Sequence, residues 1–243
     1  MKSVEITLPV LNEEVCLEKS VKQVIHFLNT HSLSNWSLVI ADNGSTDQTL
    51  DLAEKLATEF PDQVRVISVS IKGVGAAVRA GWTSSKASIV GYMDIDLATS
   101  ISHLIDVQNL FTKSTETKIV NGSRRLPNSI VENRKWVRRI TSYSLNKLLA
   151  VILGVRFTDA MCGFKFFERE VALDLLRDIP RIPDWFVCAE LLIRAEWKQH
   201  AVSEIPVVWT DDPVSRVKIF KLSNQYIKHI LRLFIEKRNS SRL

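Results

Sequence analysis

Five short apolar runs along residues 4–123, the first four each followed by a stretch with helical spacing, restrict this chain to a narrow set of folds. The runs are VEITLPV (4–10), SLVIAD (37–42), VRVISVS (64–70), SIVGYMD (88–94) and KIVNGS (118–123). Between them lie an amphipathic segment over about 13–28 and the stretches 46–60, 75–85 and 100–111. Strands alternating with helices of this length predict an α/β fold with a mainly parallel sheet flanked by helices. In such sheets the ligand sits outside the carboxyl ends of the strands. With 243 residues, 46% hydrophobic and 24% charged, the chain suits one sizeable domain and a small extension. We place the domain over 1–220 and a basic amphipathic C-terminal helix over 221–243.

The residues just past each strand end share a character. They are Pro9, Asn12, Glu13 and Glu14 after the first, 41–47 (ADNGSTD) after the second, and 72–75 (KGVG) after the third. DID (94–96) and GSRR (122–125) follow the fourth and fifth. Acids mixed with Lys72, Arg124 and Arg125 suit an anionic ligand carrying a bound cation. Asp94 and Asp96 end an apolar run; in extended backbone, side chains at i and i+2 point the same way, so both acids would face one spot. Paired carboxylates suit Mg²⁺ or Mn²⁺, with substrate phosphates and waters filling the remaining positions. Asp42, at the end of the second strand, would accept hydrogen bonds from a base or ribose. Ser45 or Thr46 reads as a helix N-cap, with Asp47 complementing the helix dipole. KGVG looks like a phosphate loop, but its glycine spacing fits neither a Walker loop nor GxGxxG. Small residues there would equally let the next helix pack closely.

Three scattered cysteines, Cys16, Cys162 and Cys188, form no CxxC pair, which predicts a reducing compartment and no cysteine-rich metal site. The start enters a strand with no signal-peptide pattern. The longest apolar run, 148–155, is far short of the ~20 residues that cross a bilayer. The net charge of +5 is concentrated: residues 214–243 hold eight Lys/Arg against one acid, Glu236. Such a tail suits nucleic acid, an anionic membrane or solubility alone.

Taken together, Pro9-x-x-Asn12-Glu13-Glu14, Asp42-Asn43-Gly44-Ser45-x-Asp47, Asp94-x-Asp96 and Gly122-Ser123-Arg124 resemble family 2 glycosyltransferases, which carry the Rossmann-like GT-A fold. Residues 159–170 (DAMCGFKFFERE), 184–192 and 214–218 resemble the polyprenyl- and dolichyl-phosphate hexosyltransferases within that family. The resemblance implies that Pro9, Leu11, Glu13, Asp42 and Asp94 hold the nucleotide of a UDP- or GDP-hexose. Asp96, with Asp94, would ligate the divalent ion. Arg124, Arg138 and Ser142 would bind the acceptor phosphate, and Arg216 would close over the diphosphate. Asp94, Asp96, Arg124 and Arg216 would thus form the catalytic set. Two departures stand out. Leu97-Ala98 replaces the Leu-Gln of many mannose synthases and is nearer the glucosyl-transferring branch. Val187-Cys188 precedes Glu190-Leu191-x-x-Arg194, where hydroxyl-glycosylating relatives carry an acidic pair.

The second departure bears on the acceptor. A sugar hydroxyl needs a general base, whereas a phosphate monoester, with a second pKa near ~6, is already mostly dianionic. It needs arginines in fork geometry, and Arg124, Arg138, Arg139 and Arg216 are available. The expected reaction is inverting hexose transfer to a polyprenyl phosphate. The alternative is a soluble or saccharide hydroxyl acceptor, with Glu190 or another acid as base. A nucleic-acid binder is excluded, since it leaves Asp42, Asp94 and Asp96 unexplained. A lipid acceptor brings in the membrane surface and predicts a cytoplasmic, peripherally associated protein. Docking would use 134–155 and 220–238, the latter placing Leu222, Tyr226, Ile230 and Phe234 at helical spacing on a basic helix. Relatives often continue into C-terminal membrane helices, so a partner membrane subunit is a further expectation.

Overall fold

The apolar alternation of Val4, Ile6, Leu8 and Val10 puts one face of β1 (Val4–Val10) in the core, and β1 lies in the interior of the sheet. The computed structural model describes residues 2–211 and 219–240, with the side chains of the last stretch described over 225–239. After β1 come α1 (Leu17–Thr30), β2 (Trp36–Asp42), α2 (Thr49–Glu59), β3 (Val64–Ser68), α3 (Val74–Ser84) and β4 (Ile89–Met93). A 3-10 turn leads into α4 (Leu104–Lys113), then β5 (Ile119–Ser123), β6 (Ile130–Glu132), α5 (Trp136–Leu153) and β7 (Phe164–Glu168). The chain continues with α6 (Arg169–Asp178), α7 (Phe186–Trp197), β8 (Val202–Pro206), β9 (Val208–Thr210) and α8 (Ile219–Ser240). All five strands expected over 4–123 are present and occupy one seven-stranded sheet, ordered β3-β2-β1-β4-β7-β5-β8.

The sheet is parallel except at β7, which runs antiparallel to both β4 and β5. Sequence reading missed this strand. Phe164, Phe166, Phe167 and even Lys165 are fully buried, so no polar face marks a period of two. The order reverses direction between β1 and β4, and there the carboxyl ends of the strands open a crevice. Two apolar clusters cover the sheet. One is built on α1, α2 and α4, the other on α3, α5, α6, α7 and α8.

Three local expectations are corrected. Helix α2 starts at Thr49, not near Ser45, and its N-cap Gln48 makes no side-chain cap. Asp47, just ahead of the helix, accepts from the amide and hydroxyl of Thr49, the first residue of α2, so its carboxylate does sit at the helix start. The KGVG loop is a packing device. The Gly75 amide donates to the Pro183 carbonyl at 2.9 Å, and a Cβ at Gly73 would come within 2.1 Å of the same oxygen. The start of α3 is thereby covered by 182–184 and does not cradle a phosphate. Finally, the apolar face expected on α8 packs inward: Tyr226, Ile230 and Leu233 are buried in the second cluster. The exposed apolar residues are Ile227, Leu231 and Ile235, one position on around the helix. The side chain of Leu222 lies outside the described residues.

Candidate active site

The loop after β1 and the loop after β2 are laced together at the sheet edge. Asn12, at φ 56°, donates its amide to Ser45 Oγ, and its side-chain oxygen accepts from the Thr46 amide at 2.8 Å. The Glu13 amide donates to Thr49 Oγ1, and Glu14 accepts from the Gln48 amide. Much of the NGSTD motif is therefore spent fixing the edge, with Pro9 paired in register with Ala41 and Leu11 exposed above it. Asp42 is buried, and its carboxylate accepts from the amides of Gly44 and Ser45 at 3.0 and 3.3 Å. A carboxylate has about four acceptor positions, so the turn leaves capacity for a ligand. Next to it, Asn43 accepts from the Gly73 amide, while its Nδ2 is buried without a partner.

Asp94 and Asp96 do come together, but not through extended backbone. Strand β4 stops at Met93, and 94–97 form a turn closed by the Leu97 amide on the Asp94 carbonyl, with Leu97 at φ 52°. Asp94 is half-buried and Asp96 exposed. Burial, followed by the charge of Asp96, pushes the Asp94 carboxyl up to about 7, opposed by Arg124 and Lys165. Asp96 accepts from the Ala98 amide at 3.0 Å. The Asp94 carboxylate also depends on Gly163: a Cβ there would lie 1.8 Å from Asp94 Oδ2. Two hard oxygen donors with mutual repulsion fit a divalent cation whose other ligands are diphosphate oxygens and water. Among the described residues, no three His, Cys, Asp or Glu side chains converge, so the protein alone does not complete such a shell.

Arg124 leaves β5 beside this pair. It is clamped by Asp159 through its Nε at 2.7 Å, a second guanidinium nitrogen at 2.9 Å and its own amide at 3.1 Å. The Asp159 carboxyl is buried, yet Arg124 holds it down to about 2; Arg124 is raised in turn by Asp159 against the cost of its own burial. Asp159 is placed by Glu204, which accepts from the amides of Thr158 and Asp159 and from Asn121. Asp159, Gly163 and Glu204 were not read as site residues, although the first two lie inside the 159–170 motif.

From Arg124 a cavity of about 540 Å³ runs along α5. Arg124, Arg134, Arg138, Ser142 and Trp209 line one end; Leu145, Leu148, Met161, Ile227 and Ile230 are among its apolar walls. Arg138 bonds Asp211 at 2.7 Å, and the buried Ser142 hydroxyl has no partner. Arg139 is exposed and does not line the cavity. Arg216 lies outside the described residues. Glu190 is fully buried, pairing with Arg194 at 2.8 Å and with Arg232. This removes it as a base for the hydroxyl-acceptor alternative. Val187 and Cys188 are core residues, and burial pushes the Cys188 thiol up to about 12.

The family model for glycosyl transferase family 2 matches residues 5–176, which span the crevice, the acid pair and Arg124. The chain belongs to that family. The chain is 30% identical over 231 residues to the dolichyl-phosphate beta-glucosyltransferase of Saccharomyces cerevisiae, covering 88% of this chain and 69% of that one. It is 29% identical over 246 residues to the glycosyltransferase AglD of Haloferax volcanii, covering 99% of this chain but only 39% of AglD. Among solved structures it resembles glucosyl-3-phosphoglycerate synthase from Mycobacterium tuberculosis in complex with Mn²⁺, UDP and glucosyl-3-phosphoglycerate. The TM-score is 0.65 at 20% identity, over 97% of this chain and 79% of that one. The shared architecture is the GT-A fold. Among the described residues, no helix is long and apolar enough to cross a membrane.

Proposed function

We propose that the chain transfers a hexose, with inversion, from a nucleoside diphosphate sugar to a polyprenyl phosphate. The observation that carries this is the cavity: arginines gather at the end that adjoins Asp94, and apolar side chains predominate along the rest. An anionic head with a hydrocarbon tail has that pattern, and a saccharide does not. The names of the dolichyl-phosphate relatives support the acceptor class and glucose as the sugar. The UDP in the neighbouring structure supports a uridine nucleotide.

In this reading Pro9, Leu11, Glu13 and Asp42 border the nucleoside, Asp42 using the acceptor positions that its turn leaves open. Asp94 and Asp96 hold a divalent cation, Mn²⁺ or Mg²⁺, which when bound offsets charge on the departing diphosphate. Arg124, Arg138 and Ser142 hold the acceptor phosphate, and we assign Arg216 to the diphosphate. A phosphate oxygen forms the new bond to the anomeric carbon as the bond to the diphosphate oxygen breaks. The electron pair leaves with the nucleoside diphosphate, and no proton is moved, which suits a site where Glu190 is tied into ion pairs. Apolar side chains exposed on α5 and α8, among them Trp136 and Val151 at 71% and 77% and Ile235 at 58%, would rest on the cytoplasmic membrane surface where such an acceptor resides.

The test is transfer of label from a panel of nucleotide sugars into organic-extractable lipid, with and without polyprenyl phosphate and with and without EDTA. The expected result is lipid label that requires both the polyprenyl phosphate and a divalent metal. Label appearing instead on phosphoglycerate or on free sugars would refute the acceptor assignment.

A further inference from the structure

Among the described residues, Arg124, Arg134 and Arg138 line the polar end of the cavity, and two of them are in salt bridges with carboxylates. Arg124 is clamped by Asp159, and Arg138 is paired with Asp211. Arg134 forms no salt bridge among the described residues, and its Nε is buried without a hydrogen-bond partner. Its guanidinium carbon lies 5.4 Å from the centroid of the Trp209 ring, whose other neighbour is Arg124 at 5.1 Å. An aromatic ring attracts a cation, but stacking satisfies none of the N–H donors. The unpartnered Ser142 hydroxyl opens into the same cavity.

We propose that Arg134 is a further binding residue for the charged head of the acceptor, acting beside Arg124 and Arg138, which their carboxylate partners brace. This rests on the lipid-phosphate reading above and adds to it a residue outside the expected acceptor set. The pairing is the reason: among the described residues Arg124 and Arg138 are each in a salt bridge with a carboxylate, and Arg134 is in none. Burial, then repulsion from Arg124, lowers Arg134 to about 10, a strain that a bound dianion relieves. Arg124, with its fork already on Asp159, gives positive field but few free donors. Arg134 keeps its donors for phosphate oxygens, and charge-assisted bonds of that kind are the strong ones.

Trp185 and Trp209 line the cavity, so tryptophan fluorescence reports on binding independently of turnover. The full chain would be titrated with inorganic phosphate, farnesyl phosphate, farnesol and UDP, comparing the unaltered protein with Arg134→Met and Arg134→Lys. We expect farnesyl phosphate to bind, Arg134→Met to weaken it and inorganic phosphate at least about tenfold, and Arg134→Lys to weaken both less. UDP affinity stays unchanged, and in turnover the KM for the lipid rises more than kcat falls. Arg134→Met titrating like the unaltered protein, or losing UDP affinity equally, overturns the proposal. So does an unaltered protein that binds neither phosphate compound. Phosphate binding that depends on Arg134, with no gain from the farnesyl chain, upholds the anion site and refutes the polyprenyl acceptor. If Arg134→Met does not fold, an unweakened Arg134→Lys overturns the assignment by itself.

Discussion

The contact between Gly163 and Asp94 allows a substitution that separates catalysis from folding. In Gly163→Ala the new Cβ would stand 1.8 Å from Asp94 Oδ2 and 2.3 Å from its carboxyl carbon. Reaching an ordinary contact of ~3.4 Å requires the carboxylate to move by about 1.6 Å. The atoms that must move are the end of one side chain, so the fold absorbs the change. We expect a cost of no more than about 1.5 kcal/mol, the strain of one off-rotamer side chain. The site cannot absorb it equally well, because a misplacement of ~1 Å is able to cost roughly a hundredfold in rate. The expected outcome is kcat/KM lower by about a hundredfold, equivalent to ~2.7 kcal/mol, with weaker Mn²⁺ binding in the presence of UDP. Thermal melts, Mn²⁺ titration followed by electron paramagnetic resonance, and the lipid-transfer assay would be run on one preparation. Activity within threefold of the unaltered protein, at unchanged Mn²⁺ affinity, would refute the view that the Asp94 carboxylate position matters. A collapse in melting temperature would show that the contact is structural.

Other expectations follow from the same geometry. Asp159→Asn removes the charge that holds buried Arg124; breaking one partner of a buried pair costs about 3–5 kcal/mol, and a cycle with Arg124→Met should show strong coupling, whereas additive losses in denaturant melts would contradict the pairing. Glu190→Gln should destabilise the α7–α8 contact by a similar ~3 kcal/mol yet leave kcat per folded molecule unchanged; a large kcat loss with an intact fold would revive Glu190 as a base. Asp94 binds its proton more tightly folded than unfolded, so metal-free stability should fall as pH rises from about 4 toward about 7 and level off above. Asp94→Asn should flatten that slope, and added Mn²⁺ should restore the melting temperature at pH 8; a slope unchanged by Asp94→Asn in differential scanning fluorimetry would remove Asp94 as its source.

Much of the donor side was legible in sequence because each part of it is local. A strand and the loop that ends it are neighbours in the chain, so alternation of apolar runs with helical spacing located Asp42, Asp94 and Arg124 at one edge before any contact was known. How those residues are held is not local. The acid pair meets through a turn at 94–97, not through a continued strand, and Ser45 joins loops rather than capping a helix, while Asp47 both joins loops and accepts from the first amide of α2.

The acceptor side depended on tertiary structure. Sequence alone determined that the chain alternates β and α, that acids and arginines share the carboxyl edge, and that α5 and α8 are basic and partly apolar. Only the packed structure decided that β7 runs backward between β4 and β5, bringing Gly163 against Asp94 and placing Asp159 to clamp Arg124. It also decided which stripe of α8 is buried, and that Trp209 and Arg134, 75 positions apart in sequence, share one cavity wall. Periodicity reports the environment of a residue relative to its near neighbours along the chain. A cavity and its charge balance arise from segments brought together by burial, and no local pattern records which segments those are.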